Sequence, residues 1–183
     1  VYIHISPVKV ADLIANAQSK PAAFREWYSL MLKWEVVVDK VGNIKDEYLK
    51  DGAGRTFAGL TSEHDGLQII GQPSPTWVTE TYYRKYWVPF EGLPSSVAQI
   101  TANYGLNMGK GTAIRMLQRA LGVEVDGRLG PITTRAAWQT DQTDLCLKLI
   151  ELGRARYEEI GTGSRARFLS GWLNRNAAIK QFA

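Results

Sequence analysis

Apolar residues recur at spacings of three and four along most of the chain, and the β-branched alternation that marks strands is rare, so the pattern predicts a mainly α protein. An early helix is predicted over residues 8–18. A second opens at Pro21, a residue suited to a first helical turn, and carries Phe24, Trp27, Leu30, Met31 and Trp34 at helical spacing before ending near Glu35. The stretch VVVDKVGNIKDEYLKDGAGRT combines a β-branched run, a Gly-Asn pair and a Gly-rich segment, which predicts a short hairpin and a loop. Thr61 or Ser62 can cap a short helix, and Pro75 can start another through Tyr82, Tyr83 and Trp87. LPSSVAQITANYGLN reads as a further helix, with Ser95 or Ser96 near its start. GKGTAIRMLQRALGV places Ile114, Leu117 and Leu121 on one stripe and stops at Gly122, a C-cap. VDGRLGP is turn chemistry leading through Pro131 into another helix. Residues 144–160 form the longest amphipathic helix, and 165–178 closes the chain. With no internal repeat and no clear linker, one α-rich domain with two lobes facing a cleft is expected over 1–183.

Composition adds little to the fold but removes several functions. Hydrophobic residues make up 45% and charged residues 22% of the 183, as in a folded, water-soluble domain. No apolar run approaches the ~18 residues of a membrane span, and VYIHISPVKV lacks the layout of a signal peptide. The chain starts at Val1 rather than Met, which reads as a processed chain or a piece of a longer one. One cysteine and two histidines are too few for an internal disulfide or a Cys/His zinc site, so redox and zinc chemistry drop out, and no cofactor is expected because paired carboxyl groups can carry the chemistry by themselves. Cys146, in the apolar stripe DLCLKLIELG, reads as a small buried hydrophobe, and His64 as a surface residue at a helix start. The net charge of +4 suits an anionic partner, nucleic acid or a polyanionic surface such as a bacterial wall. No basic recognition helix is present, which argues against nucleic acid.

Glu35 closes an apolar helix, and Asp51 and Thr56 follow it across a polar loop. A carboxyl at an apolar helix end is partly removed from water, which favours its protonated form and suits a general acid. A second carboxylate in a wetter, Gly-rich loop stays ionised, and a Thr hydroxyl beside it can orient a water. Glycoside hydrolysis requires this division of labour. On spacing alone, a helix-terminal Glu and a turn Asp with purely structural roles account for the same pattern.

The pieces FREWYSLMLKWE, DGAGRTFAGLT, YYRKYW, ANYGLNMGKGTAIRMLQRALGVEVDGRLGPIT and RARYEEIGTGSRARFLSGWLNR, in this order from Phe24 to Arg175, resemble glycoside hydrolase family 108, the bacterial and phage N-acetylmuramidases. The resemblance implies a lysozyme-like α fold and cleavage of the β-1,4 bond between N-acetylmuramic acid and N-acetylglucosamine in peptidoglycan. It carries over Glu35 for the catalytic Glu, Asp51 for the loop Asp, Gly54 and Thr56 for the loop Gly and Thr, and Gly59, Leu60 and Thr61 for the triplet that follows. The succession Glu, Asp, Thr through a small hairpin is also similar to that of phage-type lysozymes. Two departures stand out: Val36 and Val37 replace the family's Gly-Gly, and the Glu35-to-Asp51 stretch is longer. Asp39, Asp46 or Glu47 could therefore occupy the place of Asp51.

The resemblance implies a catalytic part at about 21–107 and a helical lobe at 108–183, with a peptidoglycan-binding-like segment at 110–138. In that segment, Asp126, Gly127 and Gly130 are expected to form a tight turn, and Leu117, Leu121 and Ile132 to fill a core. Of the aromatics, Trp34, Trp138 and Trp172 are assigned to the core, and Tyr48, Tyr86 and Trp87, near loops, to stacking against sugar rings, with Asn107 lining the cleft. Arg154, Arg156, Arg165, Arg167 and Arg175 read as a solvated helix face. The expected partner is the glycan strand, met by a monomer in the periplasm or wall after secretion or holin release. An immunity protein or secretion machinery would accompany an antibacterial effector domain, and a phage endolysin fits the compact size. The alternative is a non-catalytic wall-binding module that kept the fold. Thr56, five residues after Asp51, argues for a held water and an inverting course.

Overall fold

The computed structural model describes residues 7–49, 54–68 and 71–183, without the side chains of Tyr48 and Leu49; Asp51 lies outside the described residues. The chain divides into two compact units, Val1–Lys85 and Tyr86–Ala183.

In the first unit, α1 (Val10–Asn16) and α2 (Ala22–Glu35) precede a three-stranded antiparallel sheet of β1 (Asp46–Leu49), β2 (Gly54–Phe57) and β3 (Leu60–Thr61), ordered β1-β2-β3. Two more helices follow, α3 (Ser62–Asp65) and α4 (Pro75–Thr81). Pro21 stands at the N-cap of α2, whose residues Phe24, Trp27, Tyr28 and Met31 repeat at helical spacing and are fully buried. Their rings meet those of the segment after α4: Phe24 stacks on Tyr28 and meets Tyr83 edge-on, both at 5.1 Å between centroids, and Tyr28 lies 5.1 Å from Tyr82. The stripe passes from Met31 to Glu35, one turn on, so Trp34 is 41% exposed and not in the core as expected. Ser74 caps α4 by accepting a hydrogen bond from the Trp77 amide at 3.1 Å, with Pro75 in the first turn. A six-residue π-helical segment, Tyr82–Trp87, continues α4, and the division between the units falls inside it.

The second unit is helical: α5 (Ser95–Met108), α6 (Lys110–Leu121), α7 (Pro131–Gln139), α8 (Gln142–Ile160) and α9 (Ala166–Ala178), ending in a 3₁₀ turn at Ile179–Phe182. Every residue of α5 from Val97 to Gly105 is buried, and α6, α8 and the final turn pack against it. Gly153 of α8 admits the Tyr104 ring so closely that an added Cβ would lie 2.1 Å from the Tyr104 hydroxyl. That hydroxyl donates to Asn176 Oδ1 at 2.5 Å, Asn176 Nδ2 donates to the Ile150 carbonyl at 3.1 Å, and Arg175 Nε donates to Asn103 Oδ1 at 2.9 Å. Arg175 is therefore a buried tie between α9 and α5, not part of a solvated basic face. Cys146 is buried as expected, and burial pushes its thiol up to about 11.

Two further residues assigned to the core, both in the second unit, are open. Ile132 is 77% and Trp138 59% exposed, because α7 buries only Thr133 and Ala137, one turn apart, and both apolar residues lie off that stripe. Trp138 instead donates its indole N–H to the Gly92 carbonyl at 2.9 Å. Trp172 is half-buried, stacked between Tyr157 and Phe168. The mainly α, lysozyme-like fold class read from the sequence is the one found, and its β part is three strands rather than a hairpin.

Candidate functional site

Glu35 is the last residue of α2 and half-buried, because its stripe on the helix runs into the aromatic core. A turn of the sheet comes against it. Ala58 and Gly59 link β2 to β3 as a two-residue loop with φ of 51° and 77°, the positive values of a tight hairpin turn. A Cβ on Gly59 would lie 2.6 Å from Glu35 Cβ and 3.1 Å from Glu35 Oε2, so only glycine lets the turn approach the carboxyl this closely. Tyr82 fixes the turn from the other side, its buried hydroxyl donating to the Ala58 carbonyl at 2.9 Å. The aromatic cluster therefore sets the position of the turn, and the turn sets the surroundings of Glu35.

Thr56 lies on β2 opposite Glu47 of β1 and Thr61 of β3, so these three side chains share one face of the sheet. The Thr56 hydroxyl is buried and has no hydrogen-bond partner among the described residues. Buried hydroxyls take a partner as a rule, so this one has a hydrogen bond to offer to a water or another molecule from outside the chain. The Thr61 hydroxyl is otherwise engaged: it caps α3 by accepting from the His64 amide at 3.1 Å. His64 itself is exposed on that short helix, as expected. Gly54, at φ 69°, leaves room for Ser62, whose Oγ accepts from the Arg55 amide at 3.1 Å.

The other face of the sheet is structural. Arg55 is only 3% exposed, and its guanidinium donates to Asp46 Oδ1 at 2.8 Å, to the Gly71 carbonyl at 2.5 Å and to the Gln68 carbonyl. A cavity of about 530 Å³, lined in part by Asp46, Arg55 and Phe57, lies on this face and does not include Thr56. Asp46 is thereby committed to Arg55. Asp39 is committed too: its Oδ1 accepts from the Asn43 amide at 2.8 Å and the Val41 amide at 2.9 Å, and these bonds, that from Asn43 first, hold its carboxyl below the usual carboxylate range. Of the three alternatives to Asp51, Glu47 alone shares a face with Thr56. Among the described residues no three His, Cys, Asp or Glu side chains converge as a metal-ligand set, and no helix is long and apolar enough to cross a membrane.

Tyr86, Trp87 and Asn107 fall in the second unit. Tyr86 is half-buried, whereas Trp87 is 3% exposed, a packing residue with no face open for a sugar. Asn107 is exposed and donates Nδ2 to the Asn103 carbonyl of its own helix at 3.1 Å. Tyr48 stands on β1, its side chain outside the described residues. Tyr82 and Arg55 shape the surroundings of the site without being among the residues that the resemblance carries over. Tyr82 lies one turn after Val78, and Arg55 alternates with Thr56 two residues before Phe57, spacings that place both on buried faces.

Residues 112–177 match the family model described as a predicted peptidoglycan domain. The match runs well beyond the segment 110–138 expected from the sequence. The chain is also similar to a solved structure, SagA of Brucella abortus, at 23% identity and a TM-score of 0.67, over 86% of this chain and 91% of that one. At this identity the likeness bears on the fold. No curated protein matches the chain.

Proposed function

We propose that this chain is a peptidoglycan hydrolase, an N-acetylmuramidase of the glycoside hydrolase family 108 type, that cleaves the β-1,4 bond between N-acetylmuramic acid and N-acetylglucosamine in the bacterial wall. The observation that carries this reading is the half-buried Glu35 carboxyl against the Gly59 turn, in the same unit as the buried, unpartnered Thr56 hydroxyl. The matched peptidoglycan segment supports the wall as substrate. Glu35 donates its proton to the glycosidic oxygen as that bond breaks. Thr56 helps hold a water for attack on the opposite face of the sugar, and a carboxylate takes up that water's proton. Asp51 holds this role by resemblance, and Glu47 by its place across the strands from Thr56. Attack by a held water inverts the anomeric centre, so the new reducing end is first an α-anomer.

A second reading is a wall-binding module without activity, favoured by Val36 and Val37 standing where the family has Gly-Gly. Incubation of purified sacculi with the protein and mass analysis of the soluble products separates the two. Fragments ending in reducing N-acetylmuramic acid are expected. Co-sedimentation with sacculi and no soluble product would establish the binding module, reducing N-acetylglucosamine ends a glucosaminidase, and anhydro-muramic ends a lytic transglycosylase.

A further inference from the structure

The second unit carries a groove of about 430 Å³ between α6 and α8, and all of its lining lies inside the segment 112–177 matched as a peptidoglycan domain. Met116 and Leu152 supply apolar surface, and Arg115, Arg119 and Arg156 stand with a single acid, Glu159. Arg156 pairs with Glu159 at 2.7 Å, while Arg115 and Arg119, one turn apart on α6, have no ion-pair partner among the described residues. The groove therefore offers two guanidinium groups without a counter-anion.

Arg115 is exposed, yet its guanidinium packs closely on the backbone. A Cβ on Gly127 would lie 2.8 Å from its Cζ, and one on Gly111 would lie 3.2 Å from its Nη1, so the guanidinium is seated between two glycines. The Gly127 side of this seat is fixed by a buried amide. Gln118 accepts from the Gly127 amide at 2.8 Å and donates to Asp126 Oδ1 at 2.6 Å and to the Arg128 carbonyl at 3.0 Å. A planar donor fork held in place loses little further freedom on meeting a carboxylate, which it can grip through two parallel hydrogen bonds.

We infer that this groove binds the free carboxylates of the peptidoglycan stem peptide. The inference rests on the reading of the chain as a peptidoglycan-acting protein and names a second point of contact. The glycan itself selects against this groove, since its N-acetylated sugars are neutral once the muramic lactyl group is amidated by the peptide. The carboxylates of the polymer sit on the peptide, and an arginine pair in a partly apolar groove matches a short anionic peptide rather than a sugar ring.

The test is fluorescence anisotropy of the full chain with labelled L-Ala-γ-D-Glu-meso-diaminopimelate-D-Ala, the same peptide with its carboxylates amidated, uncharged chitotetraose, and a glycerol-phosphate oligomer. The free-acid peptide is expected to bind and the amidated one not to. The Arg115→Gln/Arg119→Gln double variant should weaken binding about tenfold or more, and Arg115→Lys, which keeps charge without the fork, by less. Both substitutions are at exposed positions, and thermal melts verify folding. Equal affinity of the double variant and the parent, equal binding of the amidated peptide, or preference for the glycerol phosphate would overturn the inference. A parent that clears sacculi and binds chitotetraose but not the peptide overturns the groove alone. A parent that neither clears sacculi nor binds any wall component overturns the functional reading with it.

Discussion

The residues of the first unit that surround the candidate acid stand where elements end or turn: Glu35 closes α2, Ala58 and Gly59 turn the sheet, and Tyr82 opens the π-helical segment. In the second unit the corresponding groups lie in the interior of helices, with Asn103 and Tyr104 inside the buried α5 and Asn176 inside α9. A group at an element's end can be re-aimed by one glycine or one turn, while a group in mid-helix is fixed by the packing of its whole element. Substitutions in the first unit should therefore alter turnover before stability, and those in the second stability before turnover.

The sharpest break of this contrast is Glu35→Gln, which should lower release of soluble muropeptides by about 10²–10⁴-fold while leaving the thermal melt near that of the parent. Near-normal release from a folded variant would remove Glu35 as the acid. Asp51→Asn and Glu47→Gln, assayed side by side, assign the second carboxylate: the one that takes up the water's proton should lose about as much as Glu35→Gln, and the other far less. Thr56→Ala should cost less than either.

On the other side of the comparison, Gly153→Ala forces a methyl into the Tyr104 ring and should destabilise the protein by about 3 kcal/mol, read by calorimetry. A melt unchanged from the parent would contradict the close contact of α5 and α8. Gly59→Ala tests the intermediate case, with a backbone cost of about 1–2 kcal/mol from its positive φ and a disproportionate loss of turnover from the methyl pressed on Glu35. Gly66→Ala is its control, because Gly66 has a similar φ of 72° but nothing within 4 Å, so it should show the backbone cost with turnover retained.

The smallest effect concerns pH. The Asp126 carboxyl is held below its ordinary 3.8 by the Arg128 amide first and then by the Gln118 side chain. A carboxyl depressed in the folded state contributes stability that is present in full above the ordinary value and is lost as pH falls through the folded one. Protection of the Gly127 amide, the intrinsic exchange rate at each pH over the observed one, should accordingly stay constant down to about pH 4 and fall at lower pH. A loss of that protection near neutral pH would mean that some other group governs the turn.

Helices were legible in the sequence because caps and apolar spacing agree locally. Pro21, Thr61, Pro75, Gly122 and Pro131 each mark the start or stop that the structure shows. The candidate site was legible at Glu35, Thr56 and Gly59 through motif resemblance, and Gly59 gained a physical reason only when the turn was seen against Glu35. Exposure was the weak point. Trp34, Ile132 and Trp138 are apolar residues whose helices bury a narrower stripe than hydrophobicity suggests, and periodicity does not reveal how wide a face its neighbours will cover. Trp87 and Arg175 failed in the opposite sense, as residues that look suited to a surface but are claimed by long-range packing or a buried hydrogen bond.

The Arg55 tie has a kinetic side. Its partners Asp46, Gln68 and Gly71 stand 9, 13 and 16 residues away, and the strands it joins are consecutive in the chain. Closing loops this short costs little entropy, so the sheet and the segment that follows it can assemble as a local nucleus before distant helices meet. On this ordering the turn between β2 and β3 can take shape early, while its seat against Glu35 waits for the longer-range ring contacts of α2 with Tyr82 and Tyr83.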